Sequence, residues 1–136
     1  MRRLIPLNPS VRCIGVSSSL GAPFSGCDMG PSFLKKAGLA AVIRHNGMAV
    51  EWQEMLLPDT STVAMPVLLG ALADATAAAI VAGQRPLVLG GDHSMAAGTW
   101  RGIGRALGKA PGLIWIDAHL DAHTPASSRS GNAHGM

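Results

Sequence analysis

An apolar run, Leu113-Ile114-Trp115-Ile116, ends abruptly in Asp117-Ala118-His119-Leu120-Asp121. Side chains alternate along an extended chain, so Asp117, His119 and Asp121 leave the backbone on one face. Two carboxylates and an imidazole converging at a strand end form a donor set for a divalent cation. A second segment of the same build lies upstream, where Leu87-Val88-Leu89 runs into Gly90-Gly91-Asp92-His93-Ser94. Four of the five histidines fall between positions 93 and 134, with Asp92, Asp117 and Asp121 in or beside that span, so the donors are concentrated where a site would need them. Carboxylate oxygen together with imidazole nitrogen suits a hard or borderline ion such as Mn2+, and no cysteine stands near to build a structural zinc site. His93, Asp117, His119 and Asp121 are the expected metal ligands. Asp92 by itself is read as a residue that fixes its loop.

Such a site needs strands that deliver it. Ligands collect at the carboxyl ends of parallel strands, which requires strands and helices to alternate. The chain has this rhythm. Val11 to Val16 reads as a strand and Ser17 to Gly30 as a loop of serine, glycine and proline. Pro31 sits at a first helical position, and Gly38 closes that short helix. A further helical turn or two runs from Leu39 to His45, and a second strand from Met48 to Trp52. Ser61 or Thr62 is placed to cap a helix reaching about Val81, whose apolar face is Leu68, Leu72, Ala75 and Ala79, with Val67 and Ile80 flanking it. Pro86 to Leu89 is the third strand, Ser94 to Leu107 a helix stopped by Gly108, and Leu113 to Ile116 the fourth strand. The remainder, from Ala118 to Met136, is a polar loop. The expected fold class is α/β: a three-layer α/β/α arrangement on a parallel sheet of about four strands, as one domain with no internal repeat.

Composition limits the function classes. The chain has 136 residues, 48% hydrophobic and only 14% charged, which excludes a disordered chain and allows one domain with a real core. Its net charge of +3 comes from 11 scattered basic residues, with no basic stripe interleaved with aromatics, so no nucleic-acid partner is expected. No membrane span is expected either, because the longest apolar stretch, from Met65 to Ala82, is interrupted by Pro66, Gly70 and Asp74. Cys13 and Cys27 form no CxxC pair and no disulfide framework, and the start of the chain is broken by Pro6 and Pro9 before a signal sequence can form. A reducing, cytoplasmic setting is therefore expected.

The motifs carry a more specific likeness. Gly90-Gly91-Asp92-His93-Ser94, Asp117-Ala118-His119-Leu120-Asp121 and Ser130-Gly131-Asn132-Ala133-His134-Gly135-Met136, with the spacing between them, resemble the ureohydrolases: the arginases, agmatinases and formimidoylglutamases. Gly21-Ala22-Pro23-Phe24, Asp28-Met29-Gly30-Pro31 and Lys36-Ala37-Gly38-Leu39 resemble the arginase branch. The resemblance implies a manganese-dependent hydrolase of a guanidino compound that releases urea, in arginine metabolism turning arginine into ornithine, with two Mn2+ per complete site. It implies that His93 binds one ion, His119 the other, that Asp117 bridges them and that Asp121 joins the first. It implies a proton-carrying role for His134 and contacts to the amino-acid end of the substrate from His123, Ser130 and Asn132. A homo-oligomer, trimeric or hexameric, is implied for the complete protein.

Two positions depart from the arginase pattern. His123 stands where an asparagine is usual, and Arg129 where a smaller residue is usual. Both side chains can donate to a carboxylate, so an acidic guanidino compound or agmatine is the alternative to arginine. The resemblance also places further metal-binding aspartates and a guanidinium-orienting glutamate beyond position 136. Residues 1–136 are therefore expected to be the N-terminal part of a single ureohydrolase domain, its C-terminal part absent, and to be inactive alone. A non-catalytic metal-binding fragment is the competing reading.

Overall fold

The computed structural model describes residues 10–55 and 65–136. The expected cap at Ser61 or Thr62 and the signal-like start at Met1 to Pro6 lie outside the described residues. Among the described residues, three strands form one parallel sheet in the order β2-β1-β3: β1 (Ser10–Val16), β2 (Ala49–Met55) and β3 (Arg85–Gly90). Four α-helices lie between and after them: α1 (Gly30–Lys36), α2 (Leu39–His45), α3 (Met65–Val81) and α4 (Met95–Leu107).

The central strand explains the layering. Alternate residues of β1 point to opposite faces. Ile14 and Val16 pack with Leu68, Leu72, Ala75 and Met95 on one side. Val11 and Cys13 pack with Ile43, Leu39 and Trp52 on the other. The sheet is thus covered by α3 and α4 on one face and by α2 on the other, giving the expected three layers. The four residues read as the apolar face of α3, Leu68, Leu72, Ala75 and Ala79, are all buried, whereas Val67 is 63% exposed. α3 and α4 cross closely because α4 carries Gly98 and Gly102 one turn apart. A Cβ on Gly102 would lie 2.5 Å from the Ala73 carbonyl oxygen and 2.8 Å from Thr76 Cβ, so glycine is the residue that permits the crossing.

One expected element is corrected. Leu113 to Ile116 forms no strand, and the sheet has three strands rather than four among the described residues. A strand exists through pairing and cover, and an apolar run meant for burial on both faces needs both. Here no partner bonds to it, and Ile114 and Ile116 are 88% and 93% exposed. The chain beyond Asp117 continues as loop, with a 3-10 turn at Ala133–Gly135, instead of folding back as a covering helix. The side-chain alternation survives without pairing: Ile114 and Ile116 face solvent, while Trp115 and Asp117 turn together toward His93.

Candidate metal centre

His93 sits three residues past the end of β3, in the turn that leads into α4. That turn is built on Asp92. Its buried carboxylate accepts the Ser94 backbone N–H at 2.9 Å and the Ser94 hydroxyl, while its second oxygen accepts the Gly21 N–H at 3.0 Å. Asp92 therefore fixes the loop, as its position suggested, and aims the next side chain outward.

Opposite it, Asp117 ends the extended segment in a tight local turn. Its Oδ1 accepts the His119 backbone N–H at 2.8 Å, the pattern by which Asp bends its own backbone. The same oxygen is 3.3 Å from His119 Nδ1, and the other, Oδ2, is 3.7 Å from His93 Nδ1. The His119 amide first, and then the neighbouring imidazoles, hold the Asp117 carboxyl below the usual carboxylate range. Asp121 has φ of 45°, a left-handed conformation that Asp tolerates better than most residues, and this turns its carboxylate back to within 3.2 Å of His93 Nε2. Trp115 completes the setting edge-to-face on the His93 ring, with centroids 4.9 Å apart and planes at 79°. Such a contact contributes on the order of 1 kcal/mol and limits ring rotation.

His93, Asp117 and Asp121 each offer one ligand atom within 4.8 Å of the others. Asp121 Oδ2 is buried and accepts no hydrogen bond, although His93 Nε2 lies 3.2 Å away. An orphaned buried carboxylate oxygen beside imidazole nitrogen fits a cation. Ligands on one ion stand about 2.0–2.2 Å from it, so any two are within about 4.4 Å, and a small side-chain rotation closes the set. His119 reaches the group only through Asp117, and its side chain is 82% exposed.

The other expected site residues are less tightly gathered. His123 and His134 line a cavity of about 450 Å3 together with His119, Leu120 and Asp121. His123 is held by Ser127, with Nδ1 3.2 Å from its hydroxyl. Ser130 and Asn132 do not line that cavity; the Asn132 N–H donates to Ser130 Oγ at 3.3 Å. His134 Nδ1 lies 2.7 Å from the Gly21 carbonyl oxygen. Reading the residues alone missed Trp115 and Gly21. The spacing of Trp115 to Asp117, one full alternation, was the available signal for the first. Gly21 had no local signal, because its partners are 71 and 113 residues away.

The loop after β1 has its own charge anchor. Asp28 accepts the Ser19 hydroxyl and the Gly26 N–H, both at 2.8 Å, and these bonds hold its carboxyl below the usual range. A carboxyl lowered on folding contributes stability above its unfolded pKa, and that contribution is lost as pH falls through the folded value. Ser19→Ala is therefore expected to raise the Asp28 pKa toward the ordinary carboxylate value and to move the acid loss of loop order to higher pH. A carboxyl-carbon NMR titration of Asp28 in both chains checks this; coincident curves would contradict it.

A parallel α/β chain that gathers imidazoles and carboxylates beyond its strand ends defines an α/β protein with a candidate metal centre. The model of the arginase family matches residues 9–136, and the chain belongs to that family. It is 38% identical to an arginase of Brevibacillus brevis over 141 residues, covering 96% of this chain and 47% of that protein. It is 35% identical to human arginase-1, covering 93% of this chain and 42% of that one. Among solved structures, the arginase of Bacillus subtilis matches with a TM-score of 0.82 at 36% identity, over 93% of this chain and 44% of that chain. An Entamoeba histolytica arginase in complex with L-ornithine matches with a TM-score of 0.78 at 31% identity, over 94% and 47%. The chain spans under half the length of these relatives. No described helix is long and apolar enough to cross a membrane.

Proposed function

We propose that these residues contribute to a two-manganese centre that hydrolyses a guanidino compound to urea, with arginine as the first substrate and a cytoplasmic, oligomeric protein as its setting. The observation that carries the reading is the group His93, Asp117 and Asp121, within 4.8 Å of one another in a chain of this family. His93 and Asp121 would hold one ion and His119 the other, and Asp117, whose two oxygens face the two histidines, would contribute to both. The remaining ligands are assigned to the part of the family's length that this chain does not span. Bound divalent ions lower the pKa of water so that a nucleophile exists near neutral pH.

The protein's own groups do the rest. The cavity beside Asp121 admits the substrate, and its histidines supply the polar contacts. His123 donates toward a substrate carboxylate; Ser130 and Asn132 are assigned to the same end of the substrate. His134 carries a proton to and from the cavity. Residues 1–136 alone are expected to bind Mn2+ weakly and to release no urea, because too few ligands neutralise the ions. The same residues in a polypeptide of their relatives' length are expected to release urea from arginine when Mn2+ is supplied. Silence there on arginine, agmatine and guanidino acids, with metal bound, would reject the reading.

A further inference from the structure

The geometry points to Gly21 and Asp92 as positioning residues that set where His134 carries its proton. The Gly21 carbonyl holds the proton on Nδ1, Asp92 holds Gly21, and Nε2 is left with its lone pair for the cavity. The inference rests on the reading of His134 as the proton-carrying group.

A carbonyl oxygen only accepts hydrogen bonds. At 2.7 Å from Gly21 O, His134 Nδ1 is the donor, so the neutral ring carries its proton there. The His134 backbone N–H donates to the same oxygen at 3.3 Å, which fixes the histidine by main chain and side chain at once. The Gly21 peptide is gripped from its other end, where its N–H donates to Asp92 Oδ2 at 3.0 Å. Asp92 is itself 8% exposed and anchored through Oδ1 to Ser94. The three residues thus join the loop after β1, the end of β3 and the 3-10 turn at Ala133–Gly135. The tautomer of an imidazole is decided by the bond its other nitrogen makes. With Nδ1 protonated, Nε2 can take a proton from a group in the cavity and return it. With the opposite tautomer Nε2 could only donate, and the Nδ1 lone pair would face the Gly21 carbonyl. A hydrogen bond of ordinary strength biases the choice roughly tenfold.

Nitrogen-15 NMR of the labelled, metal-free chain reads the tautomer directly at about pH 8, where imidazole is neutral. His134→Gln identifies the signal. The Nδ1–H form is expected to exceed the other roughly tenfold; a majority of Nε2–H would overturn the inference. Asp92→Ala removes both acceptor oxygens, so the Gly21 N–H and Ser94 both lose their partner. The tautomer bias should then fall several-fold in a chain that still folds, and an unchanged bias would overturn the part assigned to Asp92. If that variant does not fold, the Gly21 amide of the unaltered chain decides: slow hydrogen exchange supports the Asp92 bond, and exchange at the free rate overturns it. Failure of the full-length protein to release urea would count against the hydrolase reading while leaving the tautomer result standing.

Discussion

Asp117→Ala is expected to lower the affinity of the chain for Mn2+ at least about a hundredfold, with the fold unchanged. Losing a group that merely orients a metal ligand costs about 10- to 100-fold in affinity, and Asp117 is assigned as a ligand itself. Its two oxygens face different histidines, Oδ1 toward His119 at 3.3 Å and Oδ2 toward His93 at 3.7 Å, so one substitution removes a donor from both positions. Asp117→Asn separates charge from shape. The amide keeps an acceptor for the His119 N–H, which preserves the local turn, but it loses the negative charge that the cation needs. Its affinity should fall between the two. Calorimetric titration with Mn2+ and circular dichroism of the three chains check this. Equal affinities would remove Asp117 from the centre.

Gly91→Ala is expected to destabilise the fold by about 3 kcal/mol, seen as a melting temperature lower by about 10 °C. A Cβ at this position would lie 2.1 Å from the Ser18 carbonyl oxygen and 3.0 Å from Asp28 Cα. Both obstacles are backbone, so no side-chain rotation relieves them. The loops after β1 and β3 would have to part, loosening the Gly91 N–H bond to Val16 O at 3.1 Å and the Asp92 N–H bond to Ser18 O at 3.2 Å. Overpacking costs about 1–3 kcal/mol and each weakened hydrogen bond about 1 more. His93 is two residues away, so metal affinity should fall with stability. A thermal melt within about 3 °C of the unaltered chain would show that the loops absorb the added methyl.

The parts of this molecule that were legible in its sequence are those decided locally. The helix over Met65–Val81 shows its buried stripe in the spacing of Leu68, Leu72, Ala75 and Ala79. The continuous apolar run Leu87-Val88-Leu89 in β3 marks a strand in a covered parallel sheet. The donor residues were legible because Asp117 and Asp121 flank His119 at alternate positions. Leu113 to Ile116 carries the same apolar signal as β3, yet it is unpaired, because pairing depends on a partner and a covering layer that the segment does not itself contain. His119 was read as an equal member of the ligand set, but the turn at Asp117 leaves its side chain largely in solvent. The Gly21–His134 bond joins residues 113 apart, and no local pattern announces a contact of that range.

Paramagnetic broadening by substoichiometric Mn2+ tests the central claim most directly, because it locates even a weakly bound ion. In the labelled chain, the signals of His93, Asp117, His119 and Asp121 should vanish first. Those of Trp115 and His134 should follow, while Cys13 and Ile43 on the far side of the sheet stay sharp. Broadening centred elsewhere, or none at millimolar Mn2+, would contradict the assignment of this cluster as a metal centre.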